Sequence, residues 1–454
     1  MPRRTKIVAT LGPASSDKVT LARMIDAGLD VVRLNFSHGT AREHEARVQM
    51  VRLLARKAGR AVGVLVDLQG PKIRIGRFEK DRVVLQPGAK FVLDAECKLG
   101  NSTRVGLDYA NLPKDVHPGD TLLLDDGAIV LHVHEVKGQR IHTVVEEGGE
   151  LSNNKGINRK GGGLTAPALT EKDMADIQLA ARLRADFLGI SFPRSGADID
   201  WARDLLAKAG GHALLVAKIE RAEAITALED IITASDAIMV ARGDLAVEVG
   251  DAAVPALQKR MIRMSREHNK LVITATQMME SMVNHPSPTR AEVSDVANAV
   301  LDGTDAVMLS AETATGKYPV HTIRAMARVC EAAESEEILA ADRVRVGPPH
   351  NVEEAIGRAT MYTASSLPIK AVAAMTQSGK TVQYMSRLAS TVPIYALSSV
   401  TETRRRVTLF RGVYPIKFKG APDPERALNM AEDLLLKRGA VQNGDFIVLT
   451  IGEP

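Results

Sequence analysis

The sequence predicts an α/β fold built around parallel strands, and three observations lead to this prediction. Apolar runs of four to six residues alternate with segments of helical spacing, a pattern typical of strands that are buried on both faces. Eight such runs lie in two blocks, and short alternating β segments separate the blocks. A new series of strands and helices begins near residue 345. We therefore expect a TIM (β/α)8 barrel with an inserted small all-β domain and a C-terminal open α/β domain.

The first block, residues 1–70, contains three of the eight predicted strands. Gly28 ends the first predicted helix, and the third strand closes on an acid. The strands are predicted at Ile7–Thr10, Val31–Gly39 and Val62–Asp67, and the helices at Val19–Ala27 and His44–Lys57.

Residues 71–166 alternate apolar and polar side chains and contain turn sequences rich in Pro, Gly and Asp, which predicts a small all-β domain. Lys160–Gly163 is a candidate flexible hinge at its exit. His132 and His134 are either metal ligands or part of a solvated strand face, and the second alternative is favoured because nothing completes a metal site. The strands are predicted at Arg82–Leu85, Lys90–Leu93, Thr121–Leu124, Ile129–Val133 and Arg140–Val144.

The βα alternation resumes in residues 167–340, which complete the barrel. A helix is predicted over Glu171–Leu183, with Thr170 as its N-cap and acids in its first turn. The remaining barrel strands are predicted at Phe187–Ile190, Leu214–Ala217, Ala237–Val240, Leu271–Thr274 and Ala306–Leu309.

Residues 345–454 form the predicted C-terminal domain, and Pro348-Pro349 lies near its start. A helix is predicted over Val352–Leu367, and strands are predicted over Ala371–Met375, Pro393–Leu397 and Phe446–Leu449.

Composition excludes several classes of protein. A hydrophobic content of 45% with 25% charged residues is ordinary for a soluble protein, and the formal charge is only +4. The densest basic run, Arg404–Arg406, is interpreted as a solvated helix face, so no nucleic-acid partner is expected. Cys97 and Cys330 are the only cysteines and lie far apart, which favours a reducing compartment. No apolar run approaches membrane-spanning length, and a cytoplasmic protein without a membrane partner is expected.

Polar residues gather where the predicted barrel strands end. Lys218 and Glu220 are two residues apart and share a strand face, which by itself fits a rim salt bridge as well as a site. The recurrence of such residues at strand ends favours an active site, because those ends meet at one mouth. The set consists of Arg33, Asn35, Ser37, Asp67, Lys218, Glu220, Arg242, Asp244, Thr276, Ser310 and Glu312.

This residue set indicates a class of chemistry. Two carboxylates that leave coordination positions open for substrate oxygens fit Mg²⁺. Arg33 and Arg74 offer guanidinium forks to phosphate oxygens, and no Ser-His-Asp arrangement is present. The residues therefore predict magnesium-assisted chemistry on an anionic, phosphorylated small molecule.

The chain resembles the pyruvate kinase family over essentially its whole length. The matching segments occur in the order of the family's motifs and are together highly specific. They are Arg4–Pro13, Arg33–Gly39, Lys218–Glu220, Ala241–Leu245, Ala275–Met282, Pro288–Glu292, Asp302–Asp305 and Ser310–Thr313.

The resemblance implies phosphoryl transfer from phosphoenolpyruvate to ADP, followed by protonation of the enolate to pyruvate. Glu220 and Asp244 would hold Mg²⁺, for which Mn²⁺ can substitute. Lys218 would stabilise charge on the transferring group. The backbone N–H groups of Gly243 and Asp244, with the Thr276 hydroxyl, would bind the substrate carboxylate as a helix N-terminus binds an anion.

The resemblance also implies roles for residues around this centre. The all-β domain would be a lid that closes over the substrates and excludes water. The alternative is that this domain has no role in catalysis. The proton relay would draw on Thr276, Ser310 and Glu312. The candidates for contact with the nucleotide or the transferring phosphate are Arg33, Asn35, His38, Arg74 and Lys172.

The chain departs from the family pattern at the potassium site. Asn35, Ser37 and Asp67 are present, but Leu68 replaces a threonine and Lys72 replaces a glutamate. Because a lysine ammonium is a fixed cation, it can stand in for the diffusible ion. We therefore expect a vestigial or weak monovalent site, and K⁺ is not expected to be required.

Regulation and assembly are expected from the family alone. The segment Asn158–Gly163 resembles one bacterial subgroup, and Ala246 and Ala311 replace glycines of the usual motif. With the chain closing on Gly452–Pro454, no fructose-bisphosphate loop is expected. A sugar monophosphate or AMP is the expected effector, bound in a phosphate cradle. The alternative is that the cradle is a remnant that no longer regulates the enzyme. A homotetramer is expected. The cradle consists of Thr376, Ser378, Gly379, Lys380 and Thr381.

Two other functions stay open on the sequence. One is a magnesium-dependent barrel aldolase or lyase acting on a pyruvate enolate, which would give Arg74, Lys172 and the lid no role. The other is a catalytically dead scaffold, which the intact Lys218 and Glu220 argue against.

Overall fold

The computed structural model describes residues 2–335, 348–388, 390–421 and 423–451. The predicted fold class is confirmed, with a closed eight-stranded parallel barrel, separate small sheets between its third and fourth strands, and a four-stranded C-terminal sheet. The expected domain limits at residues 340 and 345, and the expectation placed on Gly452–Pro454, lie outside the described residues.

The first part of the barrel follows the predicted elements closely. The second strand is shorter than predicted, because a turn begins after Asn35. The second helix begins with a capping box in which Thr40 and Glu43 satisfy each other's backbone N–H groups. The elements are β1 (Lys6–Thr10), α1 (Lys18–Asp26), β2 (Val31–Asn35), α2 (Ala41–Lys57) and β3 (Gly63–Asp67).

The inserted domain is a six-stranded sheet with a separate two-stranded ribbon. Its alternating strands bury one face around Phe91 and Leu131, and three short strands were not anticipated from the sequence. Its elements are β4 (Arg82–Leu85), β5 (Lys90–Asp94), β6 (Arg104–Val105), α3 (Leu112–Asp115), β7 (Thr121–Leu124), β8 (Ile129–Lys137), β9 (Arg140–Glu147), β10 (Gly149–Ser152) and β11 (Ile157–Arg159).

The predicted hinge contains three consecutive glycines, Gly161, Gly162 and Gly163, all with positive φ. Such a backbone strongly favours glycine. Beyond it the barrel continues with α4 (Glu171–Arg182), β12 (Phe187–Ile190), α5 (Gly196–Lys208), β13 (Leu214–Ile219), α6 (Ala222–Thr226), α7 (Leu228–Ala234), β14 (Ala237–Ala241), α8 (Arg242–Val249), α9 (Val254–Glu267), β15 (Leu271–Ala275), α10 (Arg290–Leu301), β16 (Ala306–Leu309), α11 (Ala311–Ala314) and α12 (Pro319–Ser335).

The barrel closes in the order β1-β16-β15-β14-β13-β12-β3-β2 with every pair parallel. Residues inside it, such as Val8 and Met239, belong to one apolar cluster with Met361 and Leu409 of the C-terminal domain. The C-terminal domain is therefore packed against one end of the barrel. The opposite, carboxyl end of the strands carries the polar residues.

The C-terminal domain contains one strand more than predicted. Its sheet has the order β19-β18-β17-β20, so β19 is an edge strand. Pro415 lies within β19, and an edge is where a sheet tolerates proline. The elements are α13 (Val352–Ser366), β17 (Ile369–Met375), α14 (Lys380–Arg387), β18 (Ile394–Ser398), α15 (Thr401–Arg406), β19 (Val413–Lys417), α16 (Pro424–Lys437) and β20 (Phe446–Thr450).

Charged side chains connect the barrel to the C-terminal domain. The Arg387 guanidinium donates to both carboxylate oxygens of Asp305, and both residues are buried. The run Arg404–Arg406 also lies at this boundary. The interpretation of that run as a solvated helix face was wrong, because all three arginines are partly buried and Arg406 donates to the carbonyl of His212.

Other sequence interpretations concern the surface and the cysteines. None of the helices in the described ranges is long and apolar enough to cross a bilayer. Cys97 and Cys330 are free thiols. His132 and His134 are exposed, and across the described part of the chain no group of three or more His, Cys, Asp or Glu side chains is arranged to hold a metal.

Candidate active site

Lys218 is the central side chain at the carboxyl end of the barrel. Its Nζ lies 2.8 Å from Glu220 Oε1 and 3.3 Å from Asp67 Oδ1, and it donates to Ser191 Oγ at 2.8 Å. Burial by itself lowers the pKa of Lys218, but the charges of Asp67 and Glu220 outweigh burial, so the pKa is raised. The ammonium therefore stays protonated at neutral pH.

Arg33 is fixed beside this lysine by Asp67. Its Nε and Nη2 lie 2.7 and 2.6 Å from Asp67 Oδ2, and its Nη1 donates to Thr10 Oγ1 at 3.0 Å. Burial would raise the pKa of Asp67, but the charges of Lys218 and Arg33 hold it below its usual value. Asp67 thus orients two cations at once, which the sequence alone did not reveal.

Glu220 and Asp244 form a pair of carboxylates next to Lys218. Glu220 Oε2 accepts the backbone N–H of Phe192 at 2.9 Å. Burial raises the pKa of Glu220 to about 7, the Lys218 charge opposes this, and the charge of Asp244 adds to it. Two hard oxygen donors that repel each other fit a divalent cation such as Mg²⁺.

Lys72 reaches the same carboxylates from the inserted domain. Its Nζ lies 2.9 Å from Asp244 Oδ1 and 3.5 Å from Asp126 Oδ1. Burial lowers the pKa of Lys72, but the charge of Asp244 more than compensates, so the pKa is raised. A fixed positive charge therefore lies against Asp244, on the side of the inserted domain.

The first turn of α8 and the loop after β15 form a second part of the site. The backbone N–H of Gly243 donates to Thr276 Oγ1 at 2.9 Å. Thr276 and Gln277 have φ values of 66° and 52°, a conformation that is an outlier for a β-branched residue. Strain of this kind costs about 1–3 kcal/mol and persists only where surrounding contacts impose it.

Arg242 imposes this conformation. It donates to the carbonyls of Ala275 and Thr276 at 3.1 and 2.7 Å, and its own orientation is fixed by Asp295 at 2.7 Å. Arg242 was placed on the rim by the sequence, but its positioning of Thr276 and its pairing with Asp295 were not anticipated.

Ser310 and Glu312 lie at the start of α11. Glu312 is fully buried; its Oε2 accepts the N–H of Ser310 at 2.6 Å and its Oε1 accepts the N–H of Met279 at 3.1 Å. Burial raises the pKa of Glu312, although these N–H groups oppose the effect. Glu312 therefore connects α11 to the loop that contains Thr276.

Sequence reasoning missed Ser191 and the backbone of Phe192. Ser191 Oγ accepts from Lys218 and donates to the carbonyl of Leu68 at 2.7 Å, and Phe192 adopts a positive φ of 55°. Both residues directly follow β12, so the rule that examines polar residues after each strand would have found Ser191.

Comparisons with known proteins agree with this geometry. The family model described as "Pyruvate kinase, barrel domain" matches residues 2–323, and "Pyruvate kinase, alpha/beta domain" matches residues 354–454. The chain belongs to the pyruvate kinase family.

Relatives of the chain in the pyruvate kinase family match along almost its entire length. It is 52% identical over 458 residues to "Pyruvate kinase II" of Salmonella typhimurium, covering 99% of this chain and 95% of that protein. It is 51% identical over 457 residues to "Pyruvate kinase" of Haemophilus influenzae, with 99% and 96% covered. The crystal structure of a pyruvate kinase from Cryptosporidium parvum superposes with a TM-score of 0.94 at 33% identity, covering 99% of this chain and 94% of that one.

The residues expected at a pyruvate kinase nucleotide site belong partly to the barrel and partly to the inserted domain. Lys172 Nζ donates to the carbonyl of Phe36 at 2.8 Å, next to the turn that contains His38. The His38 carbonyl lies 2.9 Å from His44 Nε2. Arg74 belongs to the inserted domain, where its Nη1 donates to the carbonyl of Asn154 at 3.0 Å.

The residues expected at the monovalent site are divided between two clusters. Asn35 Oδ1 accepts the N–H of Ser37 at 3.1 Å, and Asp67 pairs with Arg33 and Lys218 as described. Lys72 lies against Asp244 instead, so its charge acts on the carboxylate pair.

The expected effector cradle lies in the loop between β17 and α14. The N–H of Gly379 donates to Thr376 Oγ1 at 2.9 Å, and the N–H of Lys380 donates to Ser378 Oγ at 3.3 Å. Gly379 has a left-handed φ of 87°, and Thr381 continues into α14. The loop therefore uses these two N–H groups for its own turn.

Proposed function

We propose that this member of the pyruvate kinase family transfers the phosphoryl group of phosphoenolpyruvate to ADP, forming pyruvate and ATP. The observation that carries the proposal is the Lys218 ammonium, which is buried between Asp67 and Glu220, together with a third acid, Asp244, whose charge acts on Glu220. A permanently charged lysine next to a carboxylate pair is suited to a reaction in which negative charge moves from a phosphoryl group to an enolate.

Glu220 and Asp244 are the residues that would hold Mg²⁺, for which Mn²⁺ could substitute. The mutual repulsion that helps to raise the pKa of Glu220 would be relieved by a divalent charge between them. When bound, the ion would neutralise charge on substrate oxygens. With Glu220 and Asp244 as its protein ligands, the ion would take its remaining ligands from substrate and water.

The chain's own residues would perform the remaining steps by positioning. Lys218 would stabilise the transferring phosphoryl group and the developing enolate, and Arg33 would hold phosphate oxygens with the guanidinium edge that Asp67 leaves free. The first turn of α8, with the N–H groups of Gly243 and Asp244, would receive the substrate carboxylate. As it binds, the substrate carboxylate would replace Thr276 Oγ1 as the acceptor of the Gly243 N–H group.

The nucleotide would bind in the cleft between barrel and lid, near Asn35, His38, Arg74 and Lys172. Closure of the lid about Gly161–Gly163 would exclude water, so that ADP rather than water receives the phosphoryl group.

Protonation of the enolate would use the hydroxyls of Thr276 and Ser310. Glu312 would act on this relay by holding Ser310 and the loop after β15 through its backbone contacts. Its oxygens already accept two N–H groups, which argues for a positioning role.

Regulation, assembly and location are further parts of the proposal. We propose turnover without a K⁺ requirement, because the ammonium of Lys72 supplies a fixed charge beside Asp244. A sugar monophosphate or AMP would bind the loop Thr376–Thr381, and the assembly would be a homotetramer. A cytoplasmic location follows from the proposed glycolytic substrates.

The test is a lactate-dehydrogenase-coupled assay with phosphoenolpyruvate, ADP and Mg²⁺. The proposal expects pyruvate release that depends on ADP, with equal turnover in K⁺ and Na⁺ buffers of matched ionic strength. An aldolase or lyase would release pyruvate without ADP. A dead scaffold would release none.

A further inference from the structure

A cavity of about 430 Å³ lies far from the carboxylate pair, between the barrel and the C-terminal domain. On the barrel side it is lined by the end of α2 and by the residues that lead into β3. On the other side it is lined by α15, by β19 and by the residue after α16. Because helices run opposite to strands in this barrel, the end of α2 lies at the amino end of the strands.

The charged residues that line this cavity are all basic. The barrel side contributes Arg52 and Arg56, which lie one turn apart on one face of α2, and Arg60 from the segment after the end of α2. Arg404 and Arg405 of α15 meet them from the C-terminal domain.

Two further cations, Lys417 of β19 and Arg438 after α16, line the cavity from the C-terminal domain. Within the described residues, neither side chain has a hydrogen-bond or ion-pair partner, and the same holds for Arg56 and Arg405. Cations placed only for solubility would spread over the surface, whereas these converge on one concave space.

The nearby acids neutralise this cluster only in part. Asp30 lies 3.4 Å from Arg60 but only 2.8 Å from Arg3, and Glu402 pairs with Arg184 outside the cavity lining. Asp186 is buried, and its Oδ2 accepts a backbone N–H.

The pKa values of two of these arginines reflect the excess of positive charge. Burial, followed by the charge of Arg405, lowers the pKa of both Arg52 and Arg404. The charge of Asp186 on Arg52, and that of Glu402 on both arginines, oppose this lowering but do not outweigh it. Gathering more cations than acids costs free energy, and a bound anion would recover that cost.

We propose that this cavity binds a phosphorylated small molecule that carries at least two phosphate groups. The arginines of α2 and α15 receive one group, and Lys417 and Arg438 receive the second. A cavity of this volume accommodates a ligand of metabolite size, and Ala55, Val62 and Pro415 supply an apolar wall between the charges.

The cavity is distinct from the loop Thr376–Thr381. Helix α15 lies between them, because Thr403 donates to the carbonyl of Gln377 while Arg404 and Arg405 face the cavity. A ligand in the cavity would contact both domains and the helix that touches that loop.

Calorimetric titration with sodium pyrophosphate tests the proposal, with Mg²⁺, nucleotide and phosphoenolpyruvate absent and ionic strength constant. The test variant is Arg405→Gln/Arg438→Gln, which removes two cations that make no side-chain hydrogen bond or ion pair within the described residues and should leave the fold intact. Its matched control is Arg23→Gln/Lys208→Gln, which removes two exposed charges elsewhere. Lys380→Ala and Arg33→Gln report on the effector loop and the active site.

We expect the Arg405→Gln/Arg438→Gln variant to bind pyrophosphate at least tenfold more weakly than the wild type, and the other three variants to stay within twofold. We also expect orthophosphate to bind at least tenfold more weakly than pyrophosphate. Equal affinity in the wild type and the test variant, or a loss in Lys380→Ala or Arg33→Gln, would overturn the proposal. Equal affinity for orthophosphate would overturn the two-phosphate ligand. Because no catalysis is measured, failure here is separate from failure of the proposed activity.

Discussion

Replacing Lys218 with methionine removes the ammonium at the centre of the site while keeping a side chain of similar length. The substitution deletes contacts of 2.8 Å with Glu220, 3.3 Å with Asp67 and 2.8 Å with Ser191. Two buried carboxylates then share one space without the cation that lies between them. The variant therefore tests both the stability of the site and its chemistry.

The two effects have different magnitudes. Breaking a buried ion pair costs roughly 3–5 kcal/mol of unfolding free energy. We expect the lower end, about 3 kcal/mol, because Asp67 keeps Arg33 at 2.6 Å. Glu220, whose pKa is already about 7, can also take up a proton. For turnover, the loss of a charge contact worth about 3 kcal/mol in the transition state predicts a kcat roughly 150-fold lower.

Unfolding by urea and the lactate-dehydrogenase-coupled assay measure the two quantities separately. Ser191→Ala is the matched control, because it removes one hydrogen bond of Lys218 and leaves every charge in place. We expect it to cost about 1 kcal/mol of stability and to lower kcat far less than Lys218→Met. A folded Lys218→Met protein whose kcat lies within tenfold of the wild type would refute the role of this lysine.

Three further predictions concern other buried charges. Burial raises the pKa of Asp186 to about 7, against the charge of Arg405, so the folded state holds this proton more tightly than the unfolded state does, and stability falls as pH rises from about 4 to 7. Because asparagine cannot ionise, the unfolding free energy of Asp186→Asn relative to the wild type should rise by roughly 2–3 kcal/mol between pH 5 and pH 8, as measured by urea unfolding. If the difference in unfolding free energy between variant and wild type is the same at both pH values, the pKa assigned to Asp186 is contradicted. Lys72→Glu places a third acid beside Asp244 and should make kcat depend on K⁺ in the coupled assay, whereas turnover equal in K⁺ and Na⁺ would count against the proposed substitution of charge. Arg387→Ala leaves Asp305 buried without its guanidinium and should cost about 3–5 kcal/mol of unfolding free energy; a loss below about 1 kcal/mol would show that the pair does not stabilise the boundary between the domains.

The eight barrel strands could be predicted because each is a short apolar run, and a strand buried on both faces requires such a run whatever its partners are. The edge strand β19 could not, since Pro415 interrupts the pattern and only the position at the sheet edge makes proline acceptable. The short strands β6, β10 and β11 also exist because of pairing with distant segments rather than because of their own composition.

By itself, the sequence determined that Lys218, Glu220, Asp244 and Thr276 share one rim. Each lies at or just after the carboxyl end of a predicted strand, and the carboxyl ends of parallel barrel strands meet at one rim. Only the tertiary structure decided which charges meet. The pairing of Lys218 with Asp67 joins residues 151 positions apart in the chain, and the basic cavity joins two domains. Electrostatic contacts depend on distance in space, and neither hydrophobic period nor motif spacing records that distance.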